Sequence, residues 1–330
     1  MKKVLTSALL GALVLTGCTS SPTSSKASTD AYPMTITHAL GKTVIKNKPQ
    51  RVAAVGWENG DTPLALNIAP VGISRSNYGK ETKHHLHSWA DEAFKKLKVN
   101  KPNVYDDTDG FDYEAIADSH PDVILAAYSG MSKEDYQKLS KIAPVIPYKT
   151  KAWSTSWRAQ TIENATPLGK KKEAQALIKK TEALIAKKTA QYPKLKNKTA
   201  AFLSLSTANL SSFYIYLNND PRAAYLKDLG FTTPKSIHKL ANGSKDFSIT
   251  VSSEKANQLS DVDLIVTYGK KSDLKALQKD ALIGQIPAIK AGHVVFIEPS
   301  SDLAAGATPS ILSIPYNLDH YLKAMNKALS

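Results

Sequence analysis

Cysteine is almost missing from this chain: its 330 residues contain one, Cys18. No internal disulfide is possible, so the folded body rests on core packing alone. Arginine is scarce too, with Arg51, Arg75, Arg158 and Arg222 the only four among 43 basic residues. Past the N-terminus no stretch reaches the roughly 18 uninterrupted apolar residues that a membrane helix needs. There is no Gly-x-Ser-x-Gly elbow, no His-Glu-x-x-His pair and no Gly-rich phosphate loop. These absences argue against a secreted hydrolase, metalloprotease or nucleotide-dependent enzyme.

What is present begins at the N-terminus. Met1-Lys2-Lys3 precedes an apolar run, Val4 to Leu15, which ends in Leu15-Thr16-Gly17-Cys18. A short cationic start and an apolar run too short to span a bilayer predict a signal peptide over residues 1–17. The run closes in a lipobox form, so the unique thiol is expected to carry lipid, which removes it as a nucleophile. Residues 18–31 are rich in Ser and Thr and predict a flexible tether. The expected picture is a globular body, extracytoplasmic and lipid-anchored to the cell membrane.

The formal net charge of +14 falls to +12 once Lys2 and Lys3 leave with the leader. Such a balance points to an anionic partner. Export argues against nucleic acid, and the lysines are scattered rather than clustered with aromatics. The four arginines are more telling, since a planar guanidinium grips oxyanions with two donors where Lys cannot.

Along the mature chain short apolar runs alternate with helical patterns. Arg51–Val55, Val71–Ile73, Asp122–Ala126 and Val145–Ile146 read as buried strands, with helices between them. Between Ser156 and Gln191 the pattern is one long amphipathic helix, with a bend or break expected at Pro167-Leu168-Gly169. Thr199–Leu205, Asp263–Thr267 and His293–Ile297 then resume the alternation. The fold class predicted is α/β: a first lobe over 32–150, a linking helix within 151–195 and a second lobe over 196–330, both lobes with mainly parallel sheets.

Six segments together resemble a known family. They are Lys48–Val52, Ala65–Ile73, Phe111–Ala117 with His120–Leu125, Leu139–Val145, Tyr225–Phe231, and Ser253–Ala256 with Asp261–Val266. In this order they resemble the iron-siderophore-binding lipoproteins of ABC importers, the helical-hinge solute-binding proteins. The resemblance implies a monomeric carrier, not an enzyme, that holds a ferric siderophore between two lobes and delivers it to membrane permease subunits. Catecholate and hydroxamate ligands are not separated by it. Haem or cobalamin remains the serious alternative, and a bare metal ion a lesser one. The resemblance also implies that Glu114 and Glu254, one on each lobe, dock the permease; the helix dipole would favour a carboxylate at either place as well.

Ligands of parallel α/β sheets sit beyond the carboxyl ends of the strands. Trp57, Tyr78 and Arg75 follow strands of the first lobe, as does Tyr128; Tyr214 and Tyr216 precede Arg222 in the second. A chelated iron needs no metal ligand or cofactor from the protein, only cations for its charge and flat rings for its periphery. The candidate ligand residues are therefore Arg75, Arg222, Trp57, Tyr78, Tyr128, Tyr214 and Tyr216. Trp153 and Arg158 belong either to the ligand site or to the hinge. Arg51 reads as structural, and His84-His85-x-His87 as a solvated loop rather than a metal site.

Overall fold

The computed structural model describes residues 31–330. The expected leader, Cys18 and all of the tether but Ala31 lie outside the described residues.

The first lobe opens with an antiparallel hairpin, β1 (Met34–His38) and β2 (Gly41–Ile45). Five short strands follow: β3 (Val52–Ala54), β4 (Gly72–Ser74), β5 (Val104–Tyr105), β6 (Val123–Ala126) and β7 (Val145–Pro147). They pair in the parallel order β5-β4-β3-β6-β7. Side chains alternate across the sheet. Val52, Ala54, Val123 and Leu125 enter one cluster, Ala53, Ile124 and Ala126 another. Helices α1 (Asp61–Ala65) and α2 (Ser88–Lys96) cover the first face with Leu64, Trp89 and Phe94. The second face is covered by α3 (Tyr113–Asp118) and α4 (Lys133–Leu139) through Ile116 and Leu139. Burial on both faces is why these strands read as unbroken apolar runs.

The linking segment is helical but interrupted. Helix α5 (Trp157–Ala165) runs into a 3-10 turn at Thr166–Leu168, Gly169 takes φ 64°, and α6 (Lys171–Thr189) follows. A left-handed residue ends a helix, and Gly adopts it without a Cβ penalty. Helix α5 touches both lobes, since its Trp157 sits in the second lobe's core and donates to Asp228. Gln160 and Asn164 on α5 bond to the first lobe's Trp57–Asn59 loop, while Ile185 on α6 sits in the second lobe's core.

The second lobe holds β8 (Ala200–Ser206), β9 (Asn209–Tyr216), β10 (Ser248–Ser252), β11 (Leu264–Tyr268) and β12 (Val294–Ile297), ordered β10-β9-β8-β11-β12. Here the sheet is mixed rather than mainly parallel. β8 pairs with β11, and β11 with β12, in parallel, while β9 is antiparallel to both β8 and β10. Only two residues, Thr207 and Ala208, separate β8 from β9, which permits a hairpin but no crossover. Helices α7 (Pro221–Asp228), α8 (Lys235–Ala241), α9 (Leu274–Lys279), α10 (Pro287–Ala291), α11 (Asp302–Gly306) and α12 (Ser313–Ala328) complete the lobe.

The lobes are tied beyond the linker. Asp302 at the start of α11 accepts from Lys80 Nζ at 3.1 Å and Ser88 Oγ at 2.5 Å. The Ser310 hydroxyl donates to Asp61, and Ala305 packs into the first lobe's cluster. A pivot between the lobes must work against these contacts, so large opening is not expected.

One linker carboxylate is poorly placed. Glu163 on α5 lines a groove of about 360 Å3 against β1 and β7, and its Oε2 is buried without a hydrogen-bond partner. Burial pushes this carboxyl up to about 7, with Lys149 opposing. A raised folded value means the folded state keeps the proton longer than the unfolded one. Stability is therefore lost as pH rises from about 4.5 to about 7. Glu163→Gln is expected to match wild type at pH 4.5 and to exceed it by about 1–2 kcal/mol at pH 8. Thermal melts across that range check this; a gap that stays flat with pH would contradict it.

Candidate functional site

Both sheets present their carboxyl ends to one cleft. From the first lobe come the Gly56–Asn59 loop after β3, Arg75–Tyr78 after β4, Asp106–Phe111 after β5, Tyr128–Gly130 after β6 and Trp153 after β7. The second lobe contributes Tyr216 at the end of β9, Asp220 and Arg222 at the start of α7, and Tyr268 ending β11.

The aromatic residues form a continuous series across the cleft. Tyr128 meets Trp153 edge-on at 5.4 Å between centroids, and Trp153 meets Trp57 at 5.8 Å. Trp57 lies parallel to Tyr78 at 6.2 Å, and Tyr78 contacts Tyr268 of the other lobe at 5.2 Å. Such close approaches need small neighbours: a Cβ added to Gly130 would stand 2.5 Å from Trp153 Nε1. Trp153 and Glu58 hold φ of 58° and 53°, strain that persists only where surrounding contacts impose it. Asn59 is one such constraint. Fully buried, it donates to the Val55 and Tyr128 carbonyls at 2.7 and 2.9 Å and accepts from Tyr128 N at 3.0 Å and Asn164 Nδ2 at 3.0 Å. It thereby fixes two cleft loops to the linker.

Between Trp57, Trp153, Phe111, Arg75, Asn77, Asp107, Ser129 and neighbouring glycines opens a cavity of about 340 Å3. Its walls are flat and mostly apolar with a few polar groups, the usual make-up of a small-molecule site.

The electrostatics depart from the sequence-based expectation of free positive forks. Arg222 is engaged by Asp220, Nε to Oδ1 at 2.8 Å and Nη2 to Oδ2 at 2.6 Å, and its guanidinium lies 4.0 Å over the Tyr216 ring. Burial opposes its charge, yet the Asp220 carboxylate more than offsets this and holds Arg222 above the ordinary arginine value. Arg75, partly exposed, bonds Glu81 at 2.8 Å and Asp106 at 3.1 Å. Behind Trp57 a polar cluster is buried. Glu58 Oε1 lies 3.4 Å from His87 Nε2, and Asp61 accepts from Trp89 Nε1 at 2.8 Å. Burial pushes Asp61 up to about 7 and raises Glu58; burial also disfavours a charged His87, but Glu58 and Asp61 overcome it and hold the imidazole above its usual value.

The remaining expected residues fall as follows. Tyr128 is buried and contacts the cavity-lining Trp153, and Tyr216 lies under the Arg222 guanidinium. Tyr214 shares the Tyr216 face of β9 but is 52% exposed, at the rim. Arg158 lies on the hinge: it pairs with Asp228 at 2.8 Å and Glu182 at 2.6 Å and covers the Trp157 ring. It clamps α5 to α7 and α6 instead of lining the cavity. Arg51 donates to the His120 and Ser119 carbonyls at 2.7 and 2.6 Å, a structural task. The His run is exposed at His85, whereas the partly buried His84 bonds Asp91 at 2.7 Å and the largely buried His87 lies 3.4 Å from Glu58. Among the described residues no group of three or more His, Cys, Asp or Glu is arranged to hold a metal ion. Glu114 and Glu254 are exposed in the first turns of α3 and the 3-10 helix Ser253–Gln258, and neither joins an ion pair among the described residues. Residues not singled out from the sequence as ligand-site candidates include Asp220, Glu58, Asp107 and Tyr268. Glu58, Asp107 and Tyr268 are legible as residues following strands, whereas the pairing of Asp220 with Arg222 is not.

A cleft between two α/β lobes joined by a helical linker, with rings and paired charges at the strand ends, defines a solute-binding protein. Residues 52–300 match the periplasmic binding protein family, and the chain belongs to it. Membership makes it an extracytoplasmic binder of solutes rather than an enzyme. The chain is similar to PiaA of Streptococcus pneumoniae TIGR4 in complex with ferrichrome, at 45% identity and a TM-score of 0.86, covering 89% of this chain and 98% of that one. A second structure, the iron uptake ABC transporter substrate-binding protein PiaA of the same strain, is 44% identical with a TM-score of 0.83, over 90% of this chain and 99% of that one. The petrobactin-binding protein YclQ of Bacillus subtilis (strain 168) is 25% identical over 93% of this chain and 94% of its own length.

Proposed function

We propose that this protein captures a ferric siderophore of the hydroxamate type in the inter-lobe cleft and hands it to an ABC permease. The observation that carries this reading is the first-lobe cavity of about 340 Å3 walled by Trp57, Trp153 and Phe111 with Arg75 on its lining, faced across Tyr78 by Tyr268 of the second lobe. Rings of this kind suit the rim of an already chelated iron. The likeness to a PiaA structure containing ferrichrome supports the hydroxamate assignment.

Trp57 and Trp153 line the cavity, while Trp89 and Trp157 are committed elsewhere, to Asp61 and Asp228. Titration with ferrichrome is therefore expected to quench the tryptophan emission saturably, with most of the effect gone in Trp57→Phe/Trp153→Phe. Quenching by Zn2+ alone, with none by ferrichrome, would overturn the assignment.

Lipidation at Cys18 would hold the protein at the membrane, and Glu114 and Glu254 would contact the permease. Glu114→Ala combined with Glu254→Ala is expected to leave ferrichrome affinity unchanged and to abolish iron uptake by cells. Loss of affinity in that pair would contradict docking.

A further inference from the structure

The cleft contains two arginines yet offers little unspent positive charge. Asp220, with no exposed surface, occupies the guanidinium of Arg222 through two parallel bonds of 2.8 and 2.6 Å. The Arg222 guanidinium lies 4.0 Å over the Tyr216 ring, and its charge is matched by the buried carboxylate behind it. Arg75, the one cation among the residues lining the cavity beside Trp57, is shared between Glu81 and Asp106. Two more carboxyls stand close by. Asp107 accepts from the Ser74 hydroxyl, and Glu58 keeps one buried oxygen without a partner. Each cleft guanidinium is thus matched by at least one carboxylate, Arg222 by Asp220 and Arg75 by Glu81 and Asp106. An anionic complex entering the cleft finds no unmatched positive charge, whereas a neutral one loses nothing.

Resting on the siderophore reading above, we propose that Asp220 is a specificity-determining residue. By cancelling the charge of Arg222 it restricts the cleft to electroneutral ferric complexes and rejects anionic ones. A neutral tris-hydroxamate satisfies this rule; a trianionic tris-catecholate does not.

The test compares ferrichrome with ferric enterobactin, each titrated by tryptophan quenching into wild type, Asp220→Asn and the double variant Arg222→Gln/Asp220→Asn. Asn retains the side-chain oxygen that caps α7 by accepting from Arg222 N, so the helix start is kept. Wild type is expected to favour ferrichrome at least 100-fold. In Asp220→Asn the ratio should move at least tenfold toward the anionic complex, and binding of that complex should weaken with added salt. The double variant, neutral again, should return to the wild-type preference, and it keeps the idea testable if the single variant folds poorly. Glu81→Gln, which loosens only the exposed Arg75, should shift the ratio less. An unchanged ratio in folded Asp220→Asn, or a shifted one in the double variant, overturns the charge rule while leaving the siderophore reading intact. A wild type that binds both complexes equally does the same, and one that binds neither refutes both.

Discussion

Arg222→Ala is expected to be the most damaging single change in the cleft, lowering stability by about 3–5 kcal/mol. The reason is what it leaves behind. Asp220 is fully buried, and both of its oxygens lie against the Arg222 guanidinium at 2.8 and 2.6 Å. Without that partner a carboxylate sits uncompensated beside the Tyr216 ring, and solvating it means opening the start of α7. Adding Asp220→Asn to the same chain should recover most of the loss, because the stranded charge is gone. For a chain of this size the single variant should melt about 5–8 °C below wild type, and the double variant within a few degrees of it. Calorimetry of the pair reads this directly. A single variant costing under about 1 kcal/mol would mean that the pair is solvated and the cleft wall soft.

Trp57→Ala is expected to give the largest loss of ligand affinity, about 100-fold, at small cost to folding. Its ring lies parallel to Tyr78, touches Trp153 and forms part of the cavity wall. Removing it deletes a flat surface on which a chelate would rest and loosens two neighbouring rings. Central aromatic anchors commonly contribute 2–4 kcal/mol, and 100-fold corresponds to about 2.7 kcal/mol. The loop itself should persist, since the Trp57 carbonyl still accepts from Gln160 at 2.9 Å and Asn59 still holds the turn. Trp57→Phe should recover part of the affinity. An alanine variant that binds ferrichrome within threefold of wild type would move the ligand away from this wall.

The corrections share a cause. The break at Gly169 was written in a Pro-Leu-Gly triplet, because glycine's left-handed conformation is a property of the residue. The antiparallel pairing of β9 depends on its partners β8 and β10, which the Asn209–Tyr216 segment does not encode by itself. Arg158 stands beside two tryptophans in sequence, which suited a ligand role as well as a hinge role. Its actual partners, Glu182 and Asp228, are 24 and 70 residues away. His87 follows a polar run, Lys80 to His85, yet folding largely buries it against Glu58, 29 positions earlier.

From the chain alone one could read the two α/β lobes and the aromatic residues at the strand ends. Strand burial, helix breaks and residue chemistry are local, and a few neighbouring residues encode them. The charge of the cleft was decided by tertiary structure. Whether Arg75 or Arg222 is free depends on which carboxylate folding brings within 3 Å or so, and that distance is settled by packing across the sheets and between the lobes.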